Sequence, residues 1–363
     1  MPVRVMLVSP YSLSYVGGVQ GQVLGMARAL RELGVDARVV APCDGPPPEP
    51  GVTVVGGSTR FSSNGSIAPI ASGKAVAAHT LEALRVFGPD VVHLHEPLVP
   101  GPTQAALLGF DGPIIGTFHA AAAEGSAWYR AFGPPLRRWL THLTVRTAVS
   151  AEARRLAEEA FGGSYEIVPN GVDVPFFAKA VPWPSPRPAI LFIGRHEPRK
   201  GLSVLLDAFD GLEREAALWV AGDGPETEAL RARGLRDVEW LGRIPDGEKA
   251  RRLRGATIYC APSLRGESFG MVLLEAMAAA VPAIASDIPG YCSVARPDRE
   301  AVIVAPGDAT AWRTALRRLL DDSSERARLI AAGEQRAHEL SMTRLAERFV
   351  PIYDTALAAS PTR

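Results

Sequence analysis

The chain has 363 residues and a mass of 38.6 kDa, and its 39 Lys or Arg are balanced by 39 Asp or Glu at a pI near 7.1. That length exceeds one ordinary core and predicts two domains, while the absence of a basic surplus argues against a nucleic-acid partner. Three scattered cysteines (Cys43, Cys260 and Cys292), with no CxxC, predict a reducing, cytoplasmic setting and exclude a disulfide framework or a thiolate zinc site.

The opening stretch "MPVRVMLVSPYS" enters a short apolar strand at once, so neither a signal peptide nor a membrane span is expected there. Short β-branched runs predict strands at 3–8, 37–41, 91–94, 114–117, 144–149 and 165–168, separated by helical patterns such as "VQGQVLGMARALRELG". The second half repeats the scheme, with strands expected at 189–193, 217–220, 238–241, 257–261, 283–286 and 302–304. Such alternation predicts an α/β chain with a doubly wound parallel sheet in each half. Between the halves, "FFAKAVPWPSPRPAI" carries Pro182, Pro184, Pro186 and Pro188, which forbid helix and sheet interior, and the domain boundary is placed there, at 178/179. The final stretch "SMTRLAERFVPIYDTALAA" puts Leu345, Phe349, Ile352, Tyr353 and Leu357 on one helical face despite Pro351, a face that needs a surface to cover.

Candidate chemistry sits in loops. "SYVGGVQ" at 14–20 and "GRHEPRKG" at 194–201 each follow a strand and lead into a helix, where unpaired N–H groups and the helix dipole suit phosphate. Gly17 and Gly18 would let an anion approach the backbone, although a tight strand-to-helix turn explains them equally well. Arg195 and Lys200 could neutralise a diphosphate leaving group without a metal, and no DxD is present to hold a divalent ion. His93 and His95 in "HLHEP" would share one strand face, but a metal needs three or four ligands and no further histidine cluster accompanies them.

Glu267 and Glu275 lie eight positions apart in "RGESFGMVLLEAM". With Ser268 or a neighbour capping a helix that starts near Phe269, that spacing is a rise of about 12 Å along the axis. A ligand stretched along the helix start would place a hexose hydroxyl at Glu267, phosphates at the N–H groups of Phe269 and Gly270, and ribose hydroxyls at Glu275. On spacing alone, a helix with an acidic first turn and an exposed glutamate fits as well.

The segment "GESFGMVLLEAMAA" resembles the E-x7-E motif of the retaining family 4 glycosyltransferases, and "GGVQ", "HLHEP", "GTFH", "VPNGVD", "GR" with "RKG", and "AGDGP" follow in that family's order. Within the family the chain is most similar to the phosphatidylinositol mannosyltransferases, through "PYSLSYVGGVQ", "SSNGSIAP" and "HLHEPLVPG". The resemblance implies a GT-B fold, in which two Rossmann-like domains face a cleft. An acceptor domain at 1–178 would be completed by a helix at 344–363 crossing back to it, with a nucleotide-sugar domain at 179–343. It implies Arg195 and Lys200 on the diphosphate, Glu267 on the sugar, Glu275 on the ribose, and Gly17 and Gly18 near the phosphates. His119 would touch the donor sugar, and Tyr11, Asn64 and Ser66 would touch the acceptor. The implied donor is a nucleotide sugar, GDP-mannose first, used as substrate with no cofactor. The acceptor is a hydroxyl compound, on a lipid or free, and membrane contact would be peripheral. A transferase using a UDP-sugar on a soluble glycan, a protein that holds nucleotide sugar without transfer, and a nucleotide-sugar epimerase are the competing expectations.

Departures from the mannosyltransferase pattern cluster on the acceptor side. Ser14 stands for an Asp, Leu98 for an Asn and Pro69 for an Arg, and the basic position beyond "TFH" is replaced in the acidic Glu124 region. Residues 1–178 hold 13 Lys or Arg against 14 Asp or Glu, so no bulk positive face is available for anionic lipid. The stretch "SAWYRAFGPPLRRWL" interleaves Trp128, Tyr129, Phe132 and Trp139 with Arg130, Arg137 and Arg138, which suits a membrane interface and, equally, a core helix with a basic edge.

Overall fold

The computed structural model describes residues 2–15, 17–63, 66–120, 136–212 and 215–359. The chain divides into two compact units, Met1–Gly171 with Met342–Arg363, and Val172–Ser341.

In the first unit β1 (Arg4–Val8), α1 (Gly18–Glu32), β2 (Asp36–Ala41) and β3 (Val52–Val54) are followed by a hairpin of β4 (Thr59–Ser63) and β5 (Ser66–Ile70). Then come α2 (Lys74–Phe87), β6 (Val91–His95), α3 (Pro102–Gly109), β7 (Ile114–Phe118), β8 (Val145–Ala148), α4 (Ala151–Phe161) and β9 (Glu166–Ile167). Seven strands form one parallel sheet in the order β3-β2-β1-β6-β7-β8-β9. Successive side chains of β1 serve opposite faces, as the pleat requires: Val5 and Leu7 pack with α1, and Met6 and Val8 pack with Leu84, Phe87 and Leu107 of α2 and α3.

The second unit runs α5 (Val174–Ala178), β10 (Ala189–Ile193), α6 (Leu202–Phe209), β11 (Ala217–Ala221), α7 (Thr227–Arg231), β12 (Val238–Gly242) and α8 (Asp246–Gly255). It continues with β13 (Ile258–Ala261), α9 (Met271–Ala278), β14 (Ala283–Ser286), α10 (Pro289–Cys292), β15 (Ala301–Val304), α11 (Ala309–Asp321) and α12 (Ser323–Glu339). Its parallel sheet has the order β12-β11-β10-β13-β14-β15, the doubly wound arrangement of a dinucleotide-binding domain. Alternation again separates two cores, with Ala189 and Leu191 on one face and Ile190 and Phe192 on the other.

Every strand expected from the sequence is present to within a residue or two at its ends. Three short strands, β3, β4 and β5, were not expected. The antiparallel hairpin pairs Thr59 with Ile70 and Ser63 with Ser66, and its polar run containing Pro69 lacks the β-branched signal of a central strand.

The boundary falls at Gly171/Val172, earlier than the expected 178/179. Val172, Val174 and Phe177 bury in the second unit's core, and the Val172 N–H donates to Leu340 O at 2.9 Å. The proline segment lies inside this unit: the Trp183 N–H donates to Arg251 O at 2.9 Å, and the Arg252 guanidinium sits 4.1 Å from the Trp183 ring centre. Proline removes regular hydrogen bonding, not packing, so the segment is a loop fixed to one unit.

The last helix, α13 (Met342–Ala359), belongs to the first unit, where Leu345, Phe349, Ile352 and Tyr353 are buried as it packs on α1, β6 and β7; Leu357 packs partly buried at the edge. Among the described residues no helix is long and apolar enough to cross a membrane.

Ala280, just beyond the C-cap of α9, holds φ at +57°, a left-handed conformation that a Cβ makes unfavourable by roughly 1–2 kcal/mol. Ala280→Gly is expected to raise stability by about 1 kcal/mol, part of the relief being offset by glycine's freer unfolded state. Urea unfolding monitored by circular dichroism checks this, and a lower midpoint would contradict it.

Candidate active site

In an open parallel sheet, ligands bind beyond the carboxyl ends of the strands where the strand order reverses. In the second unit that point lies between β10 and β13, so the loops that matter are 194–201 and 262–270. Gly201, at φ +66°, draws them together: a Cβ there would stand 2.0 Å from Pro262 O. No residue with a side chain fits without moving the backbone.

The charged side chains of these loops form an alternating chain. Arg195 reaches Glu197 at 2.7 Å, Glu197 accepts from Arg199 at 2.9 Å, and Arg199 approaches Glu267 Oε1 at 3.6 Å. The same Oε1 accepts from Lys200 Nζ, and from Ser263 Oγ at 2.9 Å. Ser263 Oγ is in turn 2.8 Å from the buried Tyr291 hydroxyl. Arg195 and Lys200 therefore meet as expected in one loop system, but each is engaged with a carboxylate. Three cations against Glu197 and Glu267 leave a formal charge of +1.

The expected helix start is corrected. Ser268 does not cap it; α9 begins at Met271 behind Gly270, which holds φ at +86° and has no side-chain cap hydrogen bond. A Cβ on Gly270 would lie 2.6 Å from Tyr291 Cδ1. Glu267 thus stands in the loop, outside the helix, and the helical spacing does not relate it to Glu275. Phe269 is buried in the core, so only its backbone can meet a ligand, and its N–H and that of Gly270 donate to no group among the described residues.

Glu275, on α9, accepts at Oε1 from Lys249 Nζ of α8 at 3.0 Å, and Lys249 also holds Asp246 at 2.9 Å. Its Oε2 is buried with no hydrogen-bond partner among the described residues, and burial pushes the carboxyl up from its ordinary range against the pull of Lys249. The two glutamates share a pattern. Each spends one oxygen on a lysine, and Glu267 Oε2, like Glu275 Oε2, makes no hydrogen bond among the described residues.

In the first unit the order reverses between β1 and β6, and the loops beyond these strands and β7 hold the remaining candidates. His119 follows β7 and is buried; its Nε2 lies 2.9 Å from His95 Nδ1. His95 stacks in turn on His93, with ring centres 4.6 Å apart, so the two histidines do share one face of β6. His93 meets the Tyr353 hydroxyl at 3.0 Å and Thr117 Oγ1 at 2.6 Å. Burial keeps these imidazoles neutral, lowering His93 and His119 to about 3 and His95 well below its ordinary value. Glu96, with φ at +56°, accepts at Oε1 from the backbone N–H groups of both His119 and Ala120 at 2.7 Å. Its strained backbone is spent on fixing the loop that carries His119.

Tyr11 pairs with Ile70 in an isolated bridge, and burial together with the Glu96 charge raises its phenol above the ordinary range. Gly17 is the N-cap of α1, where a Cβ would meet Gln20 Oε1 at 2.3 Å, and Gly18 opens the helix, exposed. Ser66 begins β5; Asn64 and Glu124 lie outside the described residues. So do Trp128, Tyr129, Arg130 and Phe132, whereas Trp139 packs on the core and Arg137 donates to Ala160 O at 3.2 Å. Among the described residues no three His, Cys, Asp or Glu side chains are grouped to hold a metal ion.

Glu197, Arg199, Ser263, Lys249 and Tyr291 were not singled out from the sequence. The alternating charges of "RHEPRKG" could have disclosed Glu197 and Arg199. Ser263 lies four residues before Glu267 in the same loop, a spacing with no distinctive pattern, and Lys249 and Tyr291 arrive from other helices and carry no local signal.

Two family models match the chain: "Glycosyltransferase Family 4" over residues 16–175 and "Glycosyl transferases group 1" over residues 173–336. The phosphatidyl-myo-inositol mannosyltransferase of Mycobacterium leprae is 37% identical, with 97% of this chain and 96% of that protein covered. The protein of the same name from Mycolicibacterium smegmatis is 35% identical over 98% of this chain and 95% of its own length. Among solved structures, the sucrose-phosphate synthase of Thermosynechococcus elongatus superposes with a TM-score of 0.74 at 20% identity, covering 99% of this chain and 100% of that one. That likeness extends the two doubly wound units to a GT-B architecture.

Proposed function

The chain belongs to the family 4 glycosyltransferases, and from that premise we propose that it moves a hexose, mannose first, from a nucleotide diphosphate sugar to a hydroxyl acceptor with retention at the anomeric carbon. The observation that carries this reading is the paired state of Glu267 and Glu275: each carboxylate is held by a lysine through one oxygen and has the other without a hydrogen bond among the described residues. Two acceptor atoms on adjoining elements suit the hydroxyls of a sugar and a ribose, and the N–H groups of Phe269 and Gly270 suit the phosphates between them.

On this reading GDP-mannose is a substrate and no cofactor is required. Arg195 and Lys200 offset the charge of the diphosphate, Glu267 holds the hexose, and Glu275 holds the ribose. The bond from the anomeric carbon to the diphosphate oxygen breaks, the acceptor oxygen bonds to the same face of that carbon, and the acceptor's proton passes to the departing phosphate. Lys200 and Arg195 stabilise the charge that develops there. Gly17, Gly18, Tyr11, Ser66 and His119 of the first unit serve the sugar and the acceptor, with Asn64 assigned beside them. The acceptor is a polyol or glycan hydroxyl, on a lipid or free, and the enzyme works in the cytoplasm with peripheral contact to a membrane where the acceptor is a lipid.

Because lysine and arginine supply the charge, donor turnover is expected to survive excess EDTA. Calorimetric titration with GDP-mannose and UDP-glucose, beside a donor-hydrolysis assay with and without EDTA, tests this. Activity restored only by Mg or Mn would overturn the cationic account, and binding without turnover for any donor and acceptor offered would reduce the chain to a binding protein.

A further inference from the structure

The histidine pair of the first unit has an asymmetry that fixes where its protons lie. His95 Nδ1 and His119 Nε2 share one hydrogen bond at 2.9 Å, so one nitrogen donates and the other accepts. The second nitrogen of His95, Nε2, is buried and has no hydrogen-bond partner among the described residues. Both rings are neutral, so each carries a single proton. If His95 accepted at Nδ1, its own proton would sit on Nε2 as a buried N–H with no acceptor. That is the rarer and costlier kind of orphan; a bare lone pair is the milder one. His95 therefore donates from Nδ1, His119 accepts at Nε2, and the only proton of His119 is on Nδ1. Among the described residues His119 Nδ1 makes no hydrogen bond.

We propose that His95 is a positioning residue that locks His119 in its Nδ1–H form, so that His119 offers a ligand a neutral hydrogen-bond donor and not a base. Glu96 completes the arrangement by holding the His119 backbone N–H, which leaves the ring little freedom to turn away from His95. His119 then donates to a sugar hydroxyl oxygen and takes no proton from the acceptor, in agreement with a departing phosphate that serves as its own base. The part that concerns the sugar rests on the proposed function; the tautomer does not.

Long-range proton–nitrogen correlation spectra of the full chain labelled with 15N-histidine separate the two neutral tautomers, and the seven histidines can be assigned by single substitutions. His119 is expected in the Nδ1–H form. His95→Asp puts an acceptor where Nδ1 donates, so His119 should shift to Nε2–H and kcat/KM for GDP-mannose should fall about three- to tenfold. His95→Asn, whose amide nitrogen can occupy the place of Nδ1, should keep the Nδ1–H form and restore the rate. Nε2–H at His119 in the unaltered chain overturns the proposal whether or not the variants fold, as does an Nδ1–H form of His119 in a folded His95→Asp. If the tautomers behave as expected while His119→Ala turns over donor at the original rate, the lock stands and the role given to His119 in transfer fails.

Discussion

Lys200→Ala is expected to lower kcat/KM for the sugar donor by about two to three powers of ten, through a higher KM and a lower kcat together. Lys200 faces Glu267 within the loop pair that Gly201 holds closed, and both side chains are largely buried, at 20% and 13% exposure. A cation there attracts the diphosphate of the bound donor and attracts it more as the bond to the sugar breaks, so ground state and transition state both lose when it is removed. The loss has a second source. Without Lys200, Glu267 keeps Arg199 at 3.6 Å and Ser263 as its partners among the described residues, and its less compensated charge repels the incoming phosphates. The double variant Lys200→Ala with Glu267→Gln should consequently bind donor better than Lys200→Ala alone, although its transfer stays slow because the hexose has lost a carboxylate. Steady-state kinetics with calorimetry on the four proteins of this cycle measures both terms. Unchanged kinetics in Lys200→Ala would remove the lysine from the site.

The second large effect concerns the acceptor: phosphatidylinositol is expected to be a poor one, even though the relatives at 35 and 37% identity are named for it. An inositol phosphate needs cationic partners, and each charge-assisted hydrogen bond contributes on the order of 1.5–3 kcal/mol. Pro69, where the resemblance calls for arginine, is buried in β5, and its carbonyl accepts from the Ser12 N–H at 2.8 Å. Leu98 is 3% exposed within an apolar core and offers no polar atom from its side chain. With the Glu124 region also acidic, two cationic contacts are missing, which corresponds to roughly 3–6 kcal/mol or two to four powers of ten in affinity. Radiolabelled GDP-mannose incubated with phosphatidylinositol vesicles and with a panel of polyol and glycan acceptors gives the comparison. Mannosylated phosphatidylinositol formed as fast as any other product would mean that the substitutions relocated the phosphate contacts without abolishing them.

The sheets were legible in the sequence because their central strands are buried on both faces and read as unbroken apolar runs, as in "AILFI" of β10 and "VMLV" of β1. The β4–β5 hairpin was not, since it stands apart from both large sheets and needs no such run. Prolines 182–188 misled the boundary: they report on local backbone, whereas membership in a unit is decided by where Val174 and Phe177 bury their side chains. At the site, Arg195, Lys200, Glu267 and Glu275 could be picked out by type and spacing, but their ion-pair partners could not. Tyr291 and Lys249 are brought to the site only by the fold, and the helix start slipped from Phe269 to Met271 because Gly270 can take a positive φ where Ser268 would have had to cap. The histidine row hid for the same reason: His95 ends β6 and His119 follows β7, and the register of these strands, His95 beside Thr117, is contained in no local pattern.

The return of α13 to the first unit bears on how the protein is made. Residues 172–341 are contiguous and can close their core as soon as they leave the ribosome, but the first unit, although its strands are synthesised earlier, has one face of β6 and β7 uncovered until Leu345, Phe349 and Tyr353 follow the second unit. The half that is born first is therefore finished last. During synthesis of some 170 intervening residues that apolar face must be shielded from other nascent chains, and loss of the eighteen residues of α13 is expected to leave that unit unfolded while sparing its neighbour.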